Sequence, residues 1–146
     1  MFGTDNLRNA VHASRNEKVA MRELETFFNN PTLLPSAILN HCTLCMIKPH
    51  VVASGLAGKL VGTIMDEGFE ISAMEMMHLK REDAEEFFDL YKGVAPDYAS
   101  MIDQVISGPC ILLEVRQEGA VEAFKEFAGH REPSIAKMQN PKSLRA

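Results

Sequence analysis

The feature that most constrains the fold is a regular alternation of strand-length apolar runs with helix-length amphipathic segments, which begins at residue 42. The predicted strands are residues 42–47, 69–79 and 110–115. The predicted helices cover residues 56–65, 81–91, 101–105 and 120–128, and their apolar stripes include Met65, Phe87 and Val121. Gly68 and Gly129 stand where two of these helices are predicted to end. This order predicts an α+β fold, most simply a small antiparallel sheet with helices on one face.

The first 41 residues follow a different pattern. Ser14 and Glu17 have the spacing of a capping box, and apolar residues at helical spacing follow as far as Phe28. Residues 29–41 contain two prolines and are predicted to be an irregular linker. A fourth strand is missing from the expected set, and we place it in residues 2–11 or leave it unassigned. The predicted organisation is therefore a segment 1–28, a linker 29–41 and a domain 42–146.

Composition narrows the function classes. The 146 residues are 46% hydrophobic, which excludes a disordered chain, and there is no apolar run of about 18 residues that would span a membrane. The first residues have no apolar signal-peptide core, so we expect a cytoplasmic protein without a membrane partner. The net charge of -5 and the absence of Trp argue against DNA or RNA as a partner. A polyanion can still bind where a few cations converge on one cleft.

The three cysteines fit a reducing compartment with buried thiols rather than a disulfide framework. Cys42 and Cys45 have C-x-x-C spacing, but they lie on a predicted strand, where residues three apart point to opposite faces. We therefore predict core thiols there rather than a metal or redox pair.

Two residues outside the predicted core could carry chemistry. Lys48 ends a buried strand, and a lysine at such a position can meet a phosphate, although a solvated lysine is the simpler interpretation. His12 precedes a helix and could act as a nucleophile or base, although it could equally be only an exposed histidine. Glu23, in the following helix, could accept from one ring nitrogen and leave the other free to attack.

Five motifs of the second region together resemble nucleoside diphosphate kinases. They are residues 43–49 (Thr-Leu-Cys-Met-Ile-Lys-Pro), 55–58 (Gly-Leu-Ala-Gly), 67–71 (Glu-Gly-Phe-Glu-Ile), 81–88 (Arg-Glu-Asp-Ala-Glu-Glu-Phe-Phe) and 107–109 (Ser-Gly-Pro). The resemblance runs from about Cys42 to Arg145, and it implies the ferredoxin-like βαββαβ antiparallel sheet of that family. The chain is most similar to the second kinase domain of the tandem-domain members associated with cilia and axonemes. There too Lys-Pro-His, as at His50, replaces Lys-Pro-Asp.

The first segment resembles the same family, but out of order. Residues 8–14 (Arg-Asn-Ala-Val-His-Ala-Ser) are similar to the catalytic-histidine segment, which in the family follows the equivalent of Arg145. Glu23 falls where the family has the glutamate that orients this histidine. The chain therefore holds a nearly complete kinase domain in permuted or fragmentary order. Residues 1–28 are either the end of an upstream kinase domain or a permuted part of this one.

The resemblance implies a phosphoryl transfer through a phosphohistidine. His12 would take the γ-phosphoryl of a nucleoside triphosphate and pass it to a nucleoside diphosphate. Lys48, Arg145 and Lys125 would neutralise the phosphate oxygens. Asn9 would hold the ribose or a phosphate, and Mg²⁺ would arrive with the nucleotide rather than in a protein metal site.

Several positions depart from the family pattern. Phe88 replaces a tyrosine, Lys125 replaces an arginine and Arg131 replaces a phosphate-binding threonine. The loop that usually stacks the base differs, so Tyr98 and Met101 are the available substitutes. Each departure removes or weakens a contact to the nucleotide.

Two functions follow from this comparison. The first is an active nucleoside diphosphate kinase. The alternative is a catalytically weakened structural module of ciliary or axonemal microtubules, located at the cilium, axoneme or centrosome. Family members often form hexamers, so the resemblance also implies self-association as a homo-oligomer.

Overall fold

A computed structural model describes residues 10–28 and 36–146 of the chain. The chain divides into two units, residues 1–35 and residues 36–146. Asn9 and most of the segment predicted to hold a fourth strand lie outside the described residues. Ala10 and Val11, the described end of that segment, are irregular.

In the first unit, helix α1 spans Glu17–Phe28. The predicted capping box at its start is wrong. Asn16 caps the helix instead, because its Oδ1 accepts a hydrogen bond of 3.0 Å from the backbone N–H of Val19 and its carbonyl accepts from Ala20. The Ser14 hydroxyl is directed elsewhere and donates to Glu23.

The second unit is built on a three-stranded antiparallel sheet in the order β1-β3-β2, with β1 at Cys42–Ile47, β2 at Glu70–Met77 and β3 at Cys110–Arg116. The predicted strands are confirmed to within two residues at each end. Strand β3 is the central strand, and it pairs with both neighbours along almost its whole length. A bulge near Ser72 interrupts the pairing of β2 with β3.

Six helices complete this unit. They are α2 (Pro49–Ala53), α3 (Ala57–Asp66), α4 (Arg81–Phe87), α5 (Tyr98–Ile106), α6 (Ala120–Ala128) and α7 (Pro133–Gln139), with a 3-10 turn at Asp89–Tyr91. Helix α3 ends as predicted before Gly68, whose φ of 98° is a left-handed conformation that favours glycine. No described helix is both long and apolar enough to cross a membrane.

The main hydrophobic core lies between one face of the sheet and helices α3 and α6. It contains Cys45, Ile47, Ile64, Phe69, Ile111, Leu113, Val115, Phe124 and Ala128. Phe69 packs edge-on against Phe124 and stacks on Phe127. Alternate residues of β3 point into this core, and Cys110 is buried on the opposite face. Burial on both faces accounts for the nearly continuous apolar sequence of this strand.

A smaller core lies between helices α4 and α5 and the other face of the sheet, around Ala84, Ile102, Val105 and Cys110. Five residues of the predicted apolar stripes in this unit are instead exposed: Leu56, Met65, Phe87, Tyr91 and Val121. A helix in a unit of this size buries a stripe narrower than its full set of apolar positions, so residues at the border of the stripe stay in contact with solvent.

Glu114 is a buried carboxylate on β3 that ties the start of the unit to the sheet. It accepts hydrogen bonds from the backbone N–H groups of Ile38 (2.7 Å) and Leu39 and from the Ser72 hydroxyl (2.8 Å). Burial on its own raises the pKa of Glu114, but these donors and the Cys42 thiol outweigh it and lower the pKa to about 2.

The predicted opposite orientation of Cys42 and Cys45 is confirmed, but of the two only Cys45 is a core thiol, whereas Cys42 is half-buried. Cys45 is buried in the main core, whereas Cys42 contacts Glu114 on the opposite face of β1. All three thiols are free, and burial raises the pKa of Cys45 to about 11.

Replacement of Glu114 by Gln should lower the Tm by several degrees, because one amide oxygen cannot replace two carboxylate oxygens that accept from four donors. The pH dependence should change with it. Glu114 has a pKa of about 2 in the folded state and about 4.5 unfolded, so the stability it confers is complete above pH 4.5 and is lost as the pH falls toward 2.

Thermal unfolding followed by circular dichroism across this pH range tests the prediction. The Glu114→Gln variant should lose part of the acid-induced fall in Tm, whereas Glu75→Gln, an exposed carboxylate on β2, should keep it. Equal pH profiles for the wild type and Glu114→Gln would contradict the assignment.

Candidate functional site

A cleft of about 380 Å³ runs along β1 and past its end. It is lined by β1, by the first turn of α2, by one face of α6 and by the segments on either side of α7. Three of the residues predicted to bind nucleotide line it together: Lys48, Arg131 and Arg145. Residues far apart in the sequence thus bring three positive charges to one concave surface, which is a favourable place for an anion.

Lys48 is positioned by the end of β1. Its backbone is still extended, and its carbonyl accepts from the N–H groups of Val51 and Val52, which starts α2 directly after the strand. The buried Pro49 occupies the first turn, where its missing N–H is not needed. Lys48 is exposed as a residue, but desolvation of its ammonium group and the charges of Arg145 and Arg131 lower its pKa.

Arg145 is positioned by the end of α6. Gly129 ends that helix with a φ of 81°, and a Cβ at this position would overlap the Ser143 side chain. The carbonyl of Gly129 accepts from Nη1 of Arg145 at 2.9 Å, and the backbone N–H of Arg145 donates to Ala128. The glycine therefore allows the last residues to pack against the end of α6 and to place the guanidinium at the cleft.

Arg131 is engaged by three groups from the segment around α5. Its Nη2 donates to the Asp97 carboxylate at 2.5 Å and contacts the Met101 sulfur at 3.4 Å, and its guanidinium lies 5.9 Å from the centre of the Tyr91 ring. The hydrogen bond from Arg131 lowers the pKa of Asp97. The charge of Arg131 is thus largely compensated by Asp97, and Met101 contacts the same guanidinium group.

Lys125 is placed differently from the other predicted phosphate contacts. It lines a second, wider cleft of about 750 Å³ on the far side of Arg131 and Arg145, together with His130. Arg131 and Arg145 line both clefts. The structure therefore brings Lys125 close to two of the cleft cations, but on a neighbouring surface.

The two predicted aromatic contacts are part of the smaller core. Phe88 and Tyr98 are half-buried, and both pack against the cluster around Ala84 and Ile102. Phe88 packs edge-on against Phe87, and the Tyr98 hydroxyl reaches the carbonyl of Glu85 at 3.5 Å. Both rings support the helix pair that carries Met101.

In the first unit, His12 and Glu23 form a pair. The His12 Nε2 lies 3.1 Å from Glu23 Oε2, and the Ser14 hydroxyl donates to the same oxygen at 2.5 Å. The hydrogen bond from Ser14, followed by that from His12, lowers the pKa of Glu23. A carboxylate on Nε2 leaves Nδ1 as the other ring nitrogen, which is the arrangement that the sequence predicted. Asn9 lies outside the described residues.

Sequence reasoning missed His50 as a residue of the cleft. His50 lines it two positions after Lys48, and its Nδ1 lies 3.0 Å from Nε2 of Gln104 on α5. Its place in the turn directly after Lys48 was the available signal.

Within the described residues, no cluster of three or more His, Cys, Asp or Glu side chains could hold a metal ion.

Comparison with known proteins agrees with the predicted family. The family model described as Nucleoside diphosphate kinase matches residues 41–146. Nucleoside diphosphate kinase homolog 7 of Rattus norvegicus is 41% identical over 149 aligned residues, which cover 100% of this chain and 38% of the relative. The chain thus spans about two fifths of the length of this relative and of the Mus musculus one, which is 40% identical.

Solved structures agree with the fold. The nucleoside diphosphate kinase of Aquifex aeolicus has a TM-score of 0.67 and is 27% identical, with 71% of this chain and 73% of that one covered. The enzyme of Borrelia burgdorferi, solved as a transition state mimic with bound vanadate and ADP, has a TM-score of 0.64 and is 24% identical, over 71% of this chain and 62% of that one. With the family model covering most of the chain and the sheet and helices in agreement, the chain belongs to the nucleoside diphosphate kinase family.

Proposed function

We propose that the chain carries the nucleotide site of a nucleoside diphosphate kinase, which transfers the γ-phosphoryl of a nucleoside triphosphate to a nucleoside diphosphate. The observation that carries the proposal is the meeting of Lys48, Arg131 and Arg145 at one cleft. Like charges that gather without a compensating acid are costly, and they are stabilised when a phosphate chain binds between them. Within residues 10–28 and 36–146, Arg131 is the one of the three that has a carboxylate within ion-pair distance.

Lys48 and Arg145 then have complementary roles. The Lys48 ammonium meets the phosphates as a point charge, whereas the planar guanidinium of Arg145 offers paired donors. Neutralisation of the equatorial oxygens of the transferred group is the main electrostatic requirement of phosphoryl transfer. Lys125 acts from the neighbouring cleft, toward the exposed end of the nucleotide.

His12 is the proposed phosphoryl carrier. Glu23 accepts from Nε2, so the Nδ1 lone pair attacks the γ-phosphorus, the bond to the bridging oxygen breaks, and the nucleoside diphosphate leaves. A terminal oxygen of a second nucleoside diphosphate then attacks the phosphohistidine and restores the free ring. Mg²⁺ enters as part of the nucleotide substrate, held by its phosphates and by water.

The domain organisation is part of the same proposal. Residues 1–28 supply a catalytic-histidine segment, residues 29–41 act as a linker and residues 42–146 form the kinase-like domain. The segment is either a permuted part of this domain or the end of an upstream kinase domain. Self-association as a homo-oligomer remains a prediction.

A second candidate function is a catalytically weakened structural module of ciliary or axonemal microtubules. One observation favours it: Arg131 is committed to Asp97, and Lys125 lies in the neighbouring cleft, so two predicted phosphate contacts are weakened. Such a module would bind nucleotide without turnover and sediment with doublet microtubules.

The phosphohistidine step is tested with γ-labelled ATP. The full chain should acquire an acid-labile, base-stable label that is lost in His12→Ala and kept in the control His78→Ala. A stable absence of label in the wild type would refute the kinase function and favour the structural module. If His12→Ala and Lys48→Ala are each inactive but regain labelling when mixed, the segment of one chain serves the cleft of another.

Lys48 makes nucleotide binding depend on pH. Lys48→Ala should weaken ADP binding by about tenfold at neutral pH, the effect of losing one charged hydrogen bond. Because the pKa of Lys48 is lowered, affinity in the wild type should decline with rising pH well before the ordinary lysine value of about 10.5. Titration calorimetry measures both effects. Lys48→Arg keeps its charge and should remove the decline, and an unchanged decline in this variant would assign it to another group.

Asp97 should lower the affinity of the cleft for ADP, because it pairs with the Arg131 guanidinium. Asp97→Asn frees the Arg131 guanidinium for phosphate, so ADP affinity should rise about two- to fivefold, in keeping with the modest strength of an exposed ion pair. As a control, Asp103→Asn breaks the ion pair between Arg81 of α4 and Asp103 of α5, and it should leave the ADP affinity unchanged. Weaker binding in Asp97→Asn would indicate that the ion pair holds Arg131 in its binding position.

A further inference from the structure

His50 is the polar residue of the cleft to which the proposed kinase mechanism gives no role. It lies in α2, is exposed, and lines the same cleft as Lys48, Arg131 and Arg145. Its position therefore makes it available to any anion that the three cations attract.

Gln104 determines how the His50 ring presents itself. The Gln104 Nε2, which can only donate, lies 3.0 Å from His50 Nδ1. A neutral imidazole that accepts at Nδ1 carries its proton at Nε2. The contact thus selects the neutral tautomer that is protonated at Nε2, and this N–H remains available to donate a hydrogen bond to a ligand.

Among the described residues, this arrangement leaves one buried polar atom of Gln104 unpaired, which points to a functional role for this side chain. The Gln104 side chain is half-buried, and within the part of the chain that the structure describes its Oε1 is buried without a hydrogen-bond partner. Buried unpaired polar atoms are uncommon in folded proteins and often accompany a functional constraint. A glutamine that leaves its oxygen unpaired while its nitrogen holds a histidine ring fits a residue retained for the orientation of that ring.

The electrostatics of the cleft favour such a donor over another cation. Desolvation lowers the pKa of Lys48, and the repulsion of Arg145 and Arg131 lowers it further. A further fixed positive charge would increase this repulsion, whereas a neutral N–H adds a hydrogen bond to a phosphate without it.

We propose that His50 is a phosphate-binding residue of the nucleotide site, with its Nε2–H donated to a nonbridging oxygen of a nucleoside diphosphate, and that Gln104 is the residue that positions it. The inference rests on the proposed function, since it deepens the description of the same cleft. It also gives the replacement of a carboxylate by a histidine after Lys-Pro a physical meaning, because an acceptor that would repel phosphate becomes a donor that binds it.

Calorimetry with ADP on the full chain tests His50. His50→Leu should raise the Kd about tenfold, as expected for one hydrogen bond to a charged acceptor, whereas His50→Gln keeps a donor near the Nε2 position and should stay within about threefold of the wild type. His78→Leu, at an exposed histidine after β2, controls for the loss of an imidazole elsewhere. Equal Kd values for His50→Leu and the wild type would overturn the inference and leave the proposed function standing.

Imidazole ¹⁵N NMR on the wild type tests the same inference without a substitution in the site. The His50 signals should show the Nε2–H tautomer, and the Nε2–H resonance should shift when ADP is added. Gln104→Leu should reduce the preference for this tautomer and weaken ADP binding severalfold. An Nδ1–H tautomer, or a resonance that ADP leaves unmoved, would overturn the inference. A wild type that binds no ADP at all would overturn the proposed function and this inference with it.

Discussion

The double pairing of strand β3 is the constraint on which the second unit depends. Its backbone is hydrogen-bonded to β1 on one side and to β2 on the other, so neither of its edges is left unpaired. The main core covers one face, and the smaller core and Glu114 cover the other. The same register fixes where β1 ends, and hence where Lys48 stands.

The cleft is formed by residues that are distant in the sequence and that the fold brings together around the sheet. Lys48 directly follows β1. Arg145 lies at the end of α6, where its guanidinium donates to the carbonyl of Gly129. Arg131 lies near α5, where it pairs with Asp97. Each of these placements uses backbone hydrogen bonds or an ion pair that is independent of a ligand. A rigid scaffold can therefore hold like charges close together and leave a phosphate chain to compensate them.

Much of the fold could be predicted because apolar periodicity reports burial directly. The three strands and helices α3 to α6 follow from it, whereas α2 and α7 do not, and the opposite faces of Cys42 and Cys45 follow from the alternation of a strand. The periodicity was less informative at the borders of the helices, where Met65, Phe87 and Val121 are exposed. The capping-box spacing of Ser14 and Glu17 was misleading at the start of α1, where Ser14 donates to Glu23 and Asn16 caps the helix.

The candidate site was predicted in part, and for a different reason. Lys48, Arg131 and Arg145 were found through family motifs, and the structure brings them to one cleft. The contacts of Arg131 and of His50 were not predictable, because their partners come from α5 and the segment before it, in another part of the chain.

The sequence by itself determined the class of fold, the family and the types of residue available for phosphate chemistry, since these depend on composition, spacing and motif. Only the tertiary structure decided which cations share a surface, that Lys125 faces the neighbouring cleft, and that Gln104 holds His50. The physical reason is that contacts between side chains depend on distances in space, which the packing of helices on the sheet sets and the order of residues does not.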